Sequence, residues 1–113
     1  FNNGKMERDF TYIDDIIEGL YRSIEIKQQS ETNYQIMNIG NGSPVNLLQF
    51  IETIENGLGK KAEKHFLPMQ PGDVKRTWAD ISQLQNKTNF QPGISIEEGV
   101  ANFVTWFNLF NRL

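Results

Sequence analysis

The chain has 113 residues, enough for one small domain with a modest core. A net charge of −3 argues against a general nucleic-acid binder, whose phosphate contacts need a basic surface, and the lack of cysteine excludes a disulfide scaffold or a thiolate metal site. No apolar run approaches a membrane span, while eight Phe, two Trp and three Tyr supply bulk for a core.

Phe1-Asn2-Asn3-Gly4 is turn chemistry of the kind met inside a protein, with no methionine and no signal peptide before it. The chain is therefore expected to be a fragment of something longer. Arg8 to Tyr12 reads as a short strand, and Asp14 or Asp15 as the N-cap of the helix that follows. Ile13, Ile16, Ile17, Leu20, Tyr21 and Ile24 recur at helical spacing and form one apolar stripe. That helix should fade by Gln28 to Ser30, with Ser30 to Asn33 as a loop. Tyr34 to Ile39 alternates enough to be a strand, and Gly40 to Pro44 is a turn.

Asn46 is expected to cap a second helix that buries Leu47, Phe50, Ile51, Ile54 and Leu58 and ends at Gly57 and Gly59. Glu63 to Leu67 alternates like an edge strand, Pro68 to Gly72 is a rigid loop, and Thr77 to Ala79 is another short strand. Asp80 or Ser82 should cap a helical turn through Leu84, and residues 89–93 form a linker. Ser95 with Glu98 makes a capping box for a last helix, striped by Ile96, Val100, Phe103, Val104, Phe107 and Phe110. Trp106, Leu109 and Leu113 lie off that stripe. About three helices and short strands cannot close a full parallel sheet. They predict a small α/β lobe that packs on a larger neighbour and leaves apolar surface where that neighbour is missing.

Few residues suggest chemistry. Arg8, beside a short strand, can grip phosphate with its planar fork while the backbone behind it stays rigid, or else pair with Asp9 or Glu7. Asp73, after Pro71-Gly72, is presented as an acceptor for hydroxyls or bonds its own turn. Phe10 either packs near a ligand or joins the core. Lys75 and Arg76 add charge near the loop or stay solvated. Lys60, Lys61 and Lys64 read as a solvated connection, and His65 as structural or exposed. No glycine-rich dinucleotide turn is present, and no Tyr-x-x-x-Lys pair.

Arg8-Asp9-Phe10-Thr11-Tyr12-Ile13-Asp14-Asp15 resembles the signature that opens the C-terminal, substrate-binding part of the extended short-chain dehydrogenases/reductases, the nucleotide-sugar epimerases and dehydratases. Tyr34 to Gly40 fits the same pattern. Met69-Gln70-Pro71-Gly72-Asp73-Val74, with Trp78-Ala79-Asp80 behind it, is similar to the UDP-glucuronate 4-epimerase branch. The resemblance implies one region over residues 1–113, a small α/β lobe whose Rossmann core is mostly missing. It implies that Arg8 meets the diphosphate of a UDP-sugar and that Asp73 lies near its ribose. Gln70 replaces the arginine usual in the galactose branch, and the glucuronate branch accepts Gln there.

NAD, bound by the missing N-terminal Rossmann part, would take a hydride from C4 of the sugar and return it through a 4-keto intermediate. The catalytic tyrosine and its lysine would lie in that part too, so this chain alone should neither bind NAD nor turn over substrate. The resemblance further implies a cytoplasmic homodimer with no nucleic-acid or membrane partner. A 4,6-dehydratase or decarboxylase on the same scaffold is the first alternative. A non-catalytic nucleotide-sugar binding or subunit-interaction module is the second.

Overall fold

The computed structural model describes residues 1–26 and 34–111. A 3-10 turn at Asn2–Gly4 opens it. Strand β1 (Glu7–Arg8), helix α1 (Ile13–Ile24), strand β2 (Val45–Asn46) and helices α2 (Leu47–Leu58), α3 (Ser82–Thr88) and α4 (Ile96–Asn111) follow. The architecture is the small α/β lobe expected, with α3 as a fourth helix where only a turn through Leu84 was foreseen.

The first turn needs left-handed backbone at Asn2, Asn3 and Gly4, conformations that Asn tolerates and Gly adopts freely. Gly4 has a second reason to be glycine. A Cβ there would stand 2.8 Å from Leu48 Cδ2. Beyond the turn, β1 pairs antiparallel with β2 in the register Glu7↔Asn46 and Arg8↔Val45. On its other side Glu7 bridges Arg76 in parallel, with Glu7 N–H donating to Lys75 O at 2.9 Å and Thr77 N–H to Glu7 O at 3.3 Å. The short strand carrying Arg8 is thus fastened along both edges.

The sheet is smaller than the sequence pattern suggested. The strand predicted over Arg8–Tyr12 stops at Arg8, and Val45–Asn46, between the predicted turn at Gly40–Pro44 and the second helix, supplies its partner. Tyr34–Ile39, Glu63–Leu67 and Thr77–Ala79 are not strands. Alternation makes a segment suited to a sheet, but a strand exists only when a neighbour takes up its N–H and C=O groups. Among the described residues Tyr34–Ile39 has no such neighbour, and Tyr34 and Ile36 remain largely exposed.

Local capping signals fare better. Asn46 caps α2, its side-chain oxygen accepting from Leu48 N–H at 2.9 Å. Gly59 closes that helix at φ +64°, while Gly57 lies within it against Val104. Ser95 Oγ accepts from Glu98 N–H at 3.2 Å and starts α4. Asp14 and Asp15, expected as caps, are not: Tyr12 occupies that position without a side-chain bond. Asp15 is buried and instead accepts from Gly93 N–H at 3.1 Å and Ile94 N–H at 2.9 Å, fastening α1 to the approach of α4. The predicted fading of the first helix over Gln28–Ser30, the loop to Asn33, and Leu113 lie outside the described residues.

Helix α2 packs against α4, and α1 against α3. Among the described residues Met6, Leu84, Pro92, Ile96, Val100 and Val104 are the buried apolar side chains, and Leu84 alone is fully enclosed. The Cα atoms extend only 19 Å along the thinnest axis, about two layers of secondary structure. One face of the lobe is therefore left uncovered. The stripe of α1 points outward, with Ile17 at 56% and Tyr21 at 59% exposure. The stripe of α4 is divided: Ile96, Val100 and Val104 are buried, while Phe103 and Phe110 join Trp106 and Leu109 outside. The apolar surface predicted for a lobe lacking its neighbour is present.

Candidate functional site

Gln70-Pro71-Gly72-Asp73 forms a tight turn closed by Asp73 N–H on Gln70 O at 3.2 Å. Proline presets the second position and Gly72, at φ +84°, takes the left-handed third position, as a type II turn requires. The turn delivers the Asp73 carboxylate to Arg8. Arg8 Nη2 donates to Asp73 Oδ1 at 2.8 Å, and Arg8 Nη1 donates to Glu7 O at 2.8 Å. Asp73 Oδ1 also accepts from Val74 N–H at 2.8 Å. The arginine and aspartate singled out 65 residues apart are thus a direct ion pair.

Both side chains are reachable from solvent, Arg8 at 28% and Asp73 at 30% exposure. The guanidinium is held in place but not enclosed, which leaves it able to meet a second anion. Neither alternative partner of Arg8 is used through its carboxylate. Glu7 pairs instead with Arg76 at 2.9 Å, whose guanidinium also stacks over Trp78 at 4.9 Å. Arg76 is therefore committed elsewhere, and Lys75 stays exposed.

Gln70 belongs to the same turn, yet its side chain is exposed and its visible role is through its carbonyl. Phe10 is not part of the ion-pair cluster. It stacks on Phe50 with ring centroids 3.8 Å apart and lines an apolar cleft of about 480 Å³ with Tyr12, Ile54, Val100 and Phe103. Phe10 is half-buried, packed on one side and open to the cleft on the other.

Three carboxylates do work that the sequence did not announce. Asp9, considered only as a partner for Arg8, accepts from three backbone N–H groups: Asn41 on Oδ1 at 3.1 Å, and Gly42 and Ala79 on Oδ2 at 3.0 and 2.9 Å. Asp15 ties down residues 93 and 94. Glu55, buried at the end of α2, accepts from Lys64, Lys61 and Ala62 N–H, and these three in that order hold its carboxyl down to about 2. Pairing with Glu55 raises the Lys61 ammonium in turn. Lys61 and Lys64 stay exposed, as the solvated connection expected, and also clasp the end of α2 through Glu55. His65 is exposed, as expected, 3.3 Å from Glu63. Asp80 is lowered by the Ser82 N–H that it accepts. No local pattern marks these carboxylates, because their partners are loops 6 to 79 residues away.

The arrangement can bind but offers no acid/base pair: a forked cation beside a free acceptor oxygen suits a phosphate ester that carries hydroxyls. Among the described residues, no group of three or more His, Asp or Glu side chains could hold a metal ion. A dinucleotide needs a glycine-rich turn between a strand and a helix N-terminus. The connection into α1 is Asp9-Phe10-Thr11-Tyr12, and β2 runs straight into α2 at Leu47, so neither strand-to-helix connection is such a turn.

Comparison with known proteins identifies the family. The family described as GDP-mannose 4,6 dehydratase matches residues 1–103. The uncharacterized protein MJ1055 of Methanocaldococcus jannaschii is 50% identical over 107 residues, covering 95% of this chain and 32% of that protein. UDP-glucuronate 4-epimerase of Thermodesulfobacterium geofontis is 44% identical over 107 residues, covering 94% of this chain and 32% of that protein. The crystal structure of UDP-glucuronic acid 4-epimerase from Bacillus cereus, in complex with UDP-glucuronic acid and NAD, superposes with a TM-score of 0.75 at 33% identity. That match covers 95% of this chain and 34% of the crystallised one. The chain spans about a third of the length of the relatives it matches.

Proposed function

The chain belongs to the family described as GDP-mannose 4,6 dehydratase, within the extended short-chain dehydrogenases/reductases, and from that footing we propose that it is the nucleotide-holding part of a UDP-glucuronate 4-epimerase. The observation that carries the proposal is the Arg8–Asp73 pair. Two motifs far apart in sequence meet at 2.8 Å and present a cation and an acceptor together. The 44% identity to an enzyme named UDP-glucuronate 4-epimerase supports the choice of substrate.

In this reading Arg8 meets the diphosphate of a UDP-sugar and Asp73 accepts from its ribose, with Gln70 at the rim of the same turn. The chain's task is to grip the nucleotide firmly and the sugar loosely, so that remote binding energy holds the reacting carbon in place. The crystal structure of the relative from Bacillus cereus contains NAD. NAD belongs, in the proposal, to a preceding Rossmann domain that also covers the outward stripe of α1. Residues 1–113 then form a single substrate-binding region of a homodimeric, cytoplasmic enzyme. Among the described residues no helix is long and apolar enough to cross a membrane.

The second reading, a nucleotide-sugar 4,6-dehydratase, is favoured by the description of the matching family. Product analysis of the intact gene product separates the two. Conversion of UDP-glucuronate to UDP-galacturonate, followed by the anomeric proton resonance, is the expected result. A 4-keto-6-deoxy product from a neutral hexose nucleotide would install the dehydratase instead. No turnover, with UDP binding by a gene product of only 13.1 kDa, would leave a non-catalytic binding module.

A further inference from the structure

We propose that Asp9 is the positioning residue of the nucleotide site, setting the angle at which Arg8 meets Asp73. The inference rests on the reading of Arg8 as the diphosphate-binding arginine. Its basis is a break in a hydrogen-bond ladder. Glu7 pairs in parallel with the segment around Arg76, bonding to Lys75 O and Thr77 N. Continued by one rung, that ladder would bring the Asp9 backbone carbonyl to the N–H of Ala79. The Asp9 carboxylate takes that donor instead, at 2.9 Å. The side chain ends the strand and stands in for its next carbonyl.

The same carboxylate reaches the turn between Ile39 and Ser43 through Asn41 and Gly42 N–H. Three segments therefore meet on one side chain: the strand bearing Arg8, the turn at 41–42, and the segment leading back to Asp73. The junction is tight. A Cβ at Gly40 would stand 2.7 Å from Ala79 Cβ and 3.0 Å from Asp9 Oδ2. Asp9 follows Arg8 directly at the end of the strand, so fixing its side chain restrains the rotation of the backbone that directs Arg8. β1 has only two ladder residues of its own, so the bonds of Asp9 add to its edge bonds in holding that rotation. Thr11 contributes from the same side, its Oγ1 accepting from Asn41 N–H at 3.0 Å.

An amide is nearly the same shape as a carboxylate but can accept on one atom only, and its NH₂ faces donors. Asp9→Asn therefore loosens the junction without removing bulk. The test is a cycle of Asp9→Asn with Arg8→Ala in the intact gene product, read as UDP affinity by calorimetry. Asp9→Asn should weaken UDP by about tenfold when Arg8 is present and by less than about twofold in the Arg8→Ala background, because its effect passes through Arg8. KM for the UDP-sugar should rise while kcat stays.

Full affinity in Asp9→Asn, or equal loss in both backgrounds, overturns the inference. Should Arg8→Ala itself leave UDP binding unchanged, the role of Arg8 falls, and the inference is decided on the ¹⁵N resonance of the Arg8 Nε–H without ligand. Asp9→Asn must move it, and an unmoved resonance refutes the positioning role. If Asp9→Asn does not fold, Thr11→Val tests the same junction more gently. A loss of about two- to threefold in UDP affinity that disappears with Arg8→Ala supports the inference, and no loss overturns it.

Discussion

Replacing Arg8 by alanine separates a binding role from a structural one, because the structure sets different scales for the two. The Arg8–Asp73 pair is short, 2.8 Å, but each side chain is about a third exposed. Water screens such a pair, and its loss should cost no more than about 1 kcal/mol of stability. Asp73 is not left stranded, since Oδ1 keeps the Val74 N–H. Against a diphosphate the guanidinium makes charge-assisted hydrogen bonds worth about 1.5–3 kcal/mol. The expected fall in affinity is therefore between about tenfold and about a hundredfold. Arg8→Lys keeps the charge, loses the fork, and should recover part of that loss. The assay is a calorimetric titration of UDP into the intact gene product, with thermal melting alongside. Affinity changed by less than about twofold at an unaltered melting temperature would refute the reasoning, because the scale of a charge-assisted bond could not be hidden there.

Asp73→Asn should weaken UDP-sugar binding more than NAD binding; equal losses in separate titrations would point to misfolding. Glu55 is held down from 4.5 to about 2 by Lys64, Lys61 and Ala62 N–H. Since its folded value lies below its unfolded one, the stability that it contributes is complete above about pH 4.5 and is lost as the pH falls towards 2. Glu55→Gln should melt earlier than the parent at pH 7, and the two melting curves should converge over that window; a gap independent of pH would show that the clasp is not ionic. Leu84→Ala empties the one fully enclosed side-chain site and should cost about 2–4 kcal/mol in urea denaturation; a loss below about 1 kcal/mol would mean that the site collapses around the alanine.

What could be read in the sequence is what is decided within a few residues. The Asn46 cap, the Gly59 stop and the Ser95 start each satisfy donors or acceptors that lie one turn away. Helix α1 was legible from its spacing, but the direction of its stripe was not, because burial depends on what lies opposite. The segment Tyr34–Ile39 has the alternation of a strand and lacks a partner among the described residues. Asp15 looked like a cap because helix starts favour aspartate, yet its acceptors are spent on donors 78 and 79 residues on. Resemblance to a family brought Arg8 and Asp73 to one ligand, but neither it nor any rule of propensity joined them to each other as an ion pair.

The same residues explain how so slight a lobe keeps a defined site. With a two-residue ladder and few enclosed apolar side chains, neither sheet nor core fixes how its loops meet. That task falls to carboxylates that bond the backbone of distant segments: Asp9 to residues 41, 42 and 79, Asp15 to 93 and 94, Glu55 to 62. Hydrogen bonds to an ionised acceptor are about twice as strong as neutral ones, and their geometry specifies partners in a way that apolar contact does not. A negative charge already saturated by N–H groups also repels an arriving diphosphate less than an open one would. The anions that build the lobe are spent inward, and Arg8 is left as the half-exposed cation beside a turn that can accept a hydroxyl.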